Sequence, residues 1–334
     1  MGIVSSVHQI KLPFPLDMPG YVSVYVVEGS KGNILVDSGW GSSEALWAFR
    51  EGLKGDFLKF QDINWIVITH IHPDHYGLAS KLKEFCGAEV VMHKVEAELI
   101  NSRYKDFKAL LKEMEEELSK NGVPPSELSE LNEASLWIKQ FVSPDLPDVI
   151  LDDGDKLSNG SFEFEVLRTP GHSPGHICLY EPSKRWLFCG DHILFETTPH
   201  VGFHPQSGDN PLRDYIKSLK ALEALQVNFI FPGHGPVFNG LKLRVAEILH
   251  HHEQRKRAIM EALDEGLKTA YQIATEIPWS SEAGSAAFKD LRPWDRRLAI
   301  LEVIAYLRLL TSEDKVGNIE QVDRKGVSLY LPKD

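Results

Sequence analysis

The stretch Ile66-Val67-Ile68-Thr69-His70-Ile71-His72-Pro73-Asp74-His75 runs an apolar strand straight into three histidines and an aspartate. Side chains of an extended chain alternate, so His70 and His72 project to one side and can grip one metal ion. Asp74 and His75 lie past the turn at Pro73 and can reach a second. Neutral imidazole suits zinc or iron, and a carboxylate hardens the second site. Further along the chain, three more candidate ligands each follow an apolar strand. They are His172 in Thr169-Pro170-Gly171-His172-Ser173-Pro174-Gly175-His176, Asp191 in Phe188-Cys189-Gly190-Asp191-His192, and His234 in Phe231-Pro232-Gly233-His234-Gly235. Glycine-bearing strand ends are where side chains converge on a shared edge.

Around these loops the pattern is that of alternating strands and helices. Alternation between Gly, Pro and Asp breaks predicts a meander over Val7–Leu12, Val22–Val27 and Asn33–Val36. A helix over Ser43–Leu53, a strand over Trp65–Thr69, a helix over Leu78–Phe85 and a strand over Glu89–His93 follow. Residues 95–145 read as a helical insertion, broken at Asn121–Pro125, with the charged run Lys112–Glu117 as its solvated face. Strands resume at Val149–Leu151, Phe162–Arg168, Ile177–Tyr180 and Trp186–Cys189, then a helix over Leu212–Leu225 and a strand over Asn228–Phe231. Beyond residue 240 the spacing predicts a long helix (Val245–Leu263), one opening near Thr269, a loop over Ser280–Pro293, a helix over Arg296–Leu310, and strands Asn318–Val322 and Val327–Leu331 joined by the turn Asp323–Gly326. Two domains are expected, 1–240 and 241–334, the second a winged-helix-like unit.

The 334 residues carry 36 basic and 48 acidic side chains, a net charge of −12, and the deficit is local. Residues 241–334 hold 15 of each sign, which leaves 21 basic against 33 acidic before them. Such a balance speaks against a general polyanion binder, and it leaves the C-terminal unit without the basic face of a DNA-binding domain. Cys86, Cys178 and Cys189 are odd in number and lack CxxC spacing, so a reducing, cytoplasmic setting is expected. No basic start with a long apolar run marks a signal peptide, and no apolar segment reaches about 18 residues. Met1 to Ser6 fits the loose myristoylation pattern at Gly2, but the residues after it alternate as a strand.

The ordered set HxHxDH, TPGHxxGH, GDH and PGHG over about residues 5–240 resembles the metallo-β-lactamase superfamily. The resemblance implies an α+β fold, a four-layer αβ/βα sandwich followed by the winged-helix-like domain. It implies that His70, His72 and His172 hold a first metal, that Asp74, His75 and His234 hold a second, and that Asp191 bridges them. Asp74 and Asp191 are then the catalytic carboxylates. Asp37, in Leu35-Val36-Asp37-Ser38-Gly39, matches an element whose carboxylate orients ligands from behind. True class B β-lactamases carry a cysteine where this chain has Asp191, so antibiotic hydrolysis is not implied, and Cys189 is expected in the core. The pattern is closer to glyoxalase II, the lactonases and the superfamily's nucleases, and the C-terminal unit narrows it toward the LACTB2-like branch.

Two divalent ions about 3.5–4 Å apart bring a shared water toward neutral pKa and neutralise the oxyanion formed by its attack. The expected function is therefore a dinuclear hydrolase using a metal-bridging hydroxide on a small acyl substrate, a thioester or lactone, with zinc as the metal and iron or manganese as the alternatives. The rival readings are a LACTB2-like endoribonuclease or phosphodiesterase and an iron-dependent persulfide dioxygenase. A complete second-ligand set disfavours the single-iron case. His200 and His204, in the Pro/Gly-rich segment Leu194–Asn210, are substrate-pocket candidates. His176 is balanced between a supporting and a purely packing role, and His192 is expected to point away from the metals. The run His250-His251-His252 faces three directions on a helix and cannot converge on one ion. Tyr104, Phe107, Trp137 and Phe141 are candidates for an apolar lid. The expected partner is a small molecule, without nucleic acid or membrane, and the chain is expected to form a homodimer.

Overall fold

Apolar runs broken by Gly, Pro and charged turns set the strands of this protein. They recur in the computed structural model, which describes residues 5–16, 18, 20–134, 136–281, 284–320 and 326–333. Strands β1 (Val7–Pro13), β2 (Tyr21–Val27) and β3 (Asn33–Val36) form the expected antiparallel meander. Helix α1 (Ser43–Gly55) leads to β4 (Ile63–Ile68), and the one-turn α2 (Pro73–Tyr76) and α3 (Ala79–Cys86) lead to β5 (Glu89–His93). Helices α4 (Lys94–Ile100), α5 (Phe107–Lys120) and α6 (Pro125–Glu133) follow. Next come β6 (Val149–Leu151), β7 (Lys156–Ser158), β8 (Glu163–Arg168), β9 (Ile177–Glu181) and β10 (Trp186–Gly190). The series continues with α7 (Pro211–Glu223), β11 (Phe229–Pro232), α8 (Leu241–Leu263), α9 (Ala270–Glu276), β12 (Trp279–Ser281) and β13 (Gly284–Ala286). It closes with α10 (Pro293–Ser312), β14 (Val316–Glu320) and β15 (Ser328–Pro332).

The first of two compact units gathers Met1–Lys105, Ile138–Pro199 and Ser218–Val245. It contains a six-stranded sheet in the order β1 to β6 and a five-stranded sheet in the order β11-β10-β9-β8-β7. Their facing sides share one core, in which Tyr25, Val36, Val67 and Val91 of the first sheet meet Phe164, Leu179, Phe188 and Phe231 of the second. Strand β4 ends in an unbroken apolar run because β3, β4 and β5 are parallel and covered on both faces. Helix α1 starts where the Ser42 hydroxyl accepts from the Ala45 amide at 3.1 Å. It closes on β1 through Gly52, where a Cβ would come to 2.5 Å of Ile10.

The second unit gathers Asp106–Trp137, His200–Lys217 and Ala246–Asp334. Its centre is α10, where Ile300, Leu301, Val303, Ile304 and Leu307 are all buried and only Glu302 among residues 300–307 is partly exposed. Helix α5 buries Leu110, Met114 and Leu118, spaced four apart, and α6 buries Leu128 and Leu131. Arg296 of α10 pairs with Glu127 at 3.3 Å and Glu130 at 2.7 Å, and Arg297 donates to the Leu131 carbonyl. Segment 200–217, which runs into α7, is tied to the same helix by Phe203 N donating to the Leu301 carbonyl at 2.9 Å. The stretch 280–293, expected as a loop, contains the short antiparallel pair β12–β13. The last helix begins at Pro293, earlier than expected, because proline is well suited to the first helical position. Gly2, the end of the expected strand Asn318–Val322 and most of the turn Asp323–Gly326 lie outside the described residues. No helix among the described residues is long and apolar enough to cross a membrane.

Candidate metal centre

Strand direction brings the chemistry to one edge of the first unit. Strands β3 and β4 are parallel, β10 and β11 are parallel, and β8 runs with β10 because both are antiparallel to β9. The C-terminal ends of β3, β4, β8, β10 and β11 are followed by Asp37, His70, His172, Asp191 and His234, respectively. The two sheets are stitched at this edge: Ile177 N donates to the Thr69 carbonyl at 2.9 Å, Ser23 N to the Gly233 carbonyl at 2.7 Å, and the Tyr25 hydroxyl to the Pro232 carbonyl at 2.7 Å.

Two groups of donor atoms result. His70, His72 and His172 form the first, and Asp74, His75, Asp191 and His234 the second. In the first, His70 Nε2 lies 3.0 Å from His72 Nδ1, which lies 2.9 Å from His172 Nε2. Three ring nitrogens this close suit one ion held by bonds of about 2.0–2.1 Å. In the second, His75 Nε2 is 3.3 Å from Asp191 Oδ1, and His234 Nε2 is 3.3 Å from both Asp74 Oδ2 and Asp191 Oδ2. Asp191 Oδ2 is also 3.7 Å from His172 Nε2, so this carboxylate faces both groups.

The opposite ring nitrogens fix which atoms face inward. The Thr69 hydroxyl donates to Asp37 at 2.9 Å and so accepts from His70 Nδ1 at 3.1 Å. His75 Nδ1 donates to Asp37 Oδ2 at 2.8 Å, and His234 Nδ1 donates to the Tyr21 carbonyl at 3.0 Å. Asp37 itself sits at φ 62°, an αL conformation in which its carboxylate also receives the Thr69 amide at 2.8 Å. Among the described residues, buried His75 Nε2 and Asp191 Oδ1 approach each other at 3.3 Å but neither makes a well-aligned hydrogen bond. Buried polar atoms are rarely left so, and a cation between them satisfies both. Gly233 makes room for this arrangement, since a Cβ there would lie 2.4 Å from Asp191 Oδ1. The donor set therefore fits metal ions.

Charge separates the two groups. Burial holds His70 well below the usual histidine range, with His75 adding to the effect. His72 is held down by burial, then by His172 and Arg103. In the second group burial opposes charge on His75, but Asp191, Asp37 and Asp74 outweigh it and hold the ring well above its usual range. His234 is pushed up to about 10 in the same way, mainly by Asp191, against burial. Both aspartates, despite burial, are held low by these rings, Asp74 by His75 first and Asp191 by His234 first.

All seven expected ligand residues thus meet in these groups, with Asp37 behind His75. His176 stands outside them; its ring lies 5.0 Å from that of His70 and bonds the Thr169 hydroxyl. His192 is buried and belongs to neither group, and Cys189 is a buried core residue. His200 and His204 belong to the second unit, where His200 Nε2 donates to the Leu298 carbonyl at 3.0 Å and His204 Nδ1 accepts from the Gln206 amide. His252 is buried against the Tyr306 hydroxyl, whereas His250 is exposed, as consecutive helix positions require. Tyr104, expected in a lid, is buried in the first unit and donates its hydroxyl to the Ile71 carbonyl. Glu96 was not foreseen. Its buried carboxylate accepts from the Ile71 amide, the Ser173 hydroxyl and the Gly175 amide. A glutamate in a charge-rich helix carries no mark in the sequence that separates it from its solvated neighbours.

Residues 17–234 match the profile of the metallo-β-lactamase superfamily. The chain belongs to this superfamily. Among relatives, it is 28% identical over 282 residues to the probable metallo-hydrolase YqjP of Bacillus subtilis, covering 80% of this chain and 83% of that protein. It is 28% identical over 232 residues to the human acyl-coenzyme A thioesterase MBLAC2, covering 66% and 75%. Among solved structures, a metallo-β-lactamase family protein from Thermus thermophilus superposes with a TM-score of 0.81 at 27% identity, covering 99% of this chain and 100% of that one. With these relatives and its His/Asp groups, this superfamily member is a metal-dependent hydrolase.

Proposed function

We propose that the chain is a dinuclear hydrolase of small acyl substrates, thioesters or lactones, with zinc as the metal. The observation that carries this reading is the position of Asp191, whose Oδ2 faces His172 of one group at 3.7 Å and His234 of the other at 3.3 Å. A single carboxylate serving both groups is what a paired-ion site needs. In this reading His70, His72 and His172 hold the first ion, and Asp74, His75 and His234 the second. Two such ions, when bound, lower the pKa of a water toward neutrality and neutralise the charge that develops on a carbonyl oxygen. Asp74 and Asp191, held as carboxylates by the neighbouring rings, would accept hydrogen bonds from that water and offset the charge of the cations. Asp37, through His75 directly and His70 by way of Thr69, keeps the lone pairs of both rings aimed inward.

The surroundings favour an acyl group over a phosphodiester. Phe14 packs edge-on against His234 with ring centroids 5.7 Å apart, Trp40 follows at 6.2 Å from Phe14, and Phe141 at 5.8 Å from Trp40. This aromatic run beside the second group offers an apolar wall to an alkyl or aryl chain. A net charge of −12 gives no matching attraction for a nucleic-acid backbone. The human relative named as an acyl-coenzyme A thioesterase adds support. The helices α8, α9 and α10 with the β14–β15 hairpin are read as a winged-helix-like unit.

The test is the ratio of kcat/KM for an S-acyl thioester to that for a bis-aryl phosphodiester, with metal-replete enzyme and Asp191→Ala as control. We expect a ratio well above one, and loss of thioester hydrolysis by about 1,000-fold or more in the variant, equivalent to some 4 kcal/mol of barrier. A ratio well below one overturns the acyl assignment in favour of phosphodiester cleavage.

A further inference from the structure

We propose that Glu96 is a positioning residue for the three-histidine group, setting the distance between the loop that carries His72 and the loop that carries His172. The inference rests on reading that group as a metal site. One carboxylate oxygen of Glu96, Oε2, accepts from the Ile71 amide at 2.8 Å. The other, Oε1, accepts from the Ser173 hydroxyl and the Gly175 amide, both at 2.6 Å. Ile71 is the residue between His70 and His72, and Ser173 follows His172 directly. The two loops leave different sheets, β4 in the first and β8 in the second. Glu96 is fully buried and spans them from α4.

The rest of the local packing serves this contact. Gly175 lies so close to α4 that a Cβ would come to 2.8 Å of the Glu96 amide nitrogen and of Val95 Cβ. The Ile71 carbonyl, on the other side of the same residue, is taken by the Tyr104 hydroxyl. Both backbone groups of the residue between the two ligand histidines are therefore held by the segment after β5. The 2.9 Å separation of His72 Nδ1 and His172 Nε2 depends on keeping these loops in register. Only an acceptor at both ends of one side chain can do so, because the Ile71 and Gly175 amides, one at each end, can only donate. A glutamine presents an oxygen to one loop and an amide N–H to the other, and the second contact becomes a clash of donors.

The experiment is a stepwise Zn2+ titration of the metal-free protein against a chelator of known affinity, for wild type, Glu96→Gln, Ser173→Ala and His172→Ala. His172→Ala identifies the step that belongs to the three-histidine group. If wild type shows no separable second step, or His172→Ala leaves every step intact, the metal reading itself fails, and this inference fails with it. With that reading standing, Glu96→Gln is expected to weaken the His172-dependent step by about 10- to 100-fold, the usual cost of losing a ligand-supporting contact. The other step should stay within about twofold, whereas general loosening of the fold weakens both. An unchanged His172-dependent step overturns the proposal, as does an equal loss at both. Should Glu96→Gln fail to fold by circular dichroism, Ser173→Ala decides. Loss of that one hydrogen bond is expected to weaken the same step about fivefold, and no change there overturns the proposal.

Discussion

The two donor groups lie side by side at one sheet edge, yet they are built on opposite electrical principles. In the first, His70 and His72 are held neutral by burial, so their lone pairs are free at neutral pH. In the second, the carboxylates of Asp37, Asp74 and Asp191 hold His75 and His234 protonated in the absence of an ion. A cation entering the first group displaces nothing, whereas one entering the second displaces protons and takes over their role in balancing the aspartates. The lesson is that a shared Asp191 does not make the halves equivalent. One is a ready-made nest of lone pairs, and the other is a set of ion pairs waiting to exchange one cation for another.

The sharpest way to break this contrast is at Asp37. Asp37→Asn leaves His75 Nδ1 facing a weaker acceptor, and we expect the affinity of the second group for Zn2+ to fall about 10- to 100-fold. The first group, reached only through Thr69, should change far less; chelator-competition titration reads both, and equal losses would show that the halves act as one. At the substrate level, Phe14→Ala removes the ring that rests on His234. The variant should lose about tenfold in kcat/KM for a long-chain acyl thioester, in line with the burial of one large apolar side chain, and little for an acetyl thioester. An equal loss for both chain lengths would assign Phe14 to supporting His234 rather than to the acyl wall.

The smallest expected effect is on the stability of the metal-free protein. His234 has a folded-state pKa raised to about 10. Its stabilising contribution is fully present below the unfolded histidine pKa of about 6.5 and is lost as pH rises through 10. The Tm of the metal-free form should therefore decline across that window by several degrees, and His234→Ala should flatten the decline. A Tm that instead rises over the same range would contradict the ion-pair description of the second group.

Much of this was legible because ligands sit where apolar runs stop. The run Ile66-Val67-Ile68 could be read as β4 and the residues after it as metal-facing without knowing the partner sheet, since strand alternation and the Pro73 turn are local properties. His172, Asp191 and His234 were found by the same rule applied to β8, β10 and β11. What escaped has no local signature. Glu96 looks like any helix glutamate, and only the approach of loops from two sheets gives it three donors. Tyr104 reads as a lid aromatic until Ile71 is placed beside it. The pair β12–β13 is three residues a side, too short for periodicity to register.

The composition of the second unit has a consequence for how the chain is made. Helices α5 and α6 leave the ribosome early, yet α10, against which α6 packs, lies more than 150 residues further along. At about 5–20 residues per second, Leu128 and Leu131 wait many seconds for their neighbours. During that interval the first unit can complete both of its sheets around residues that loop out between β5 and β6. A nascent chain arrested before Pro293 would thus display an ordered sandwich with an unmatched apolar hairpin, a species that holdase chaperones are suited to shelter.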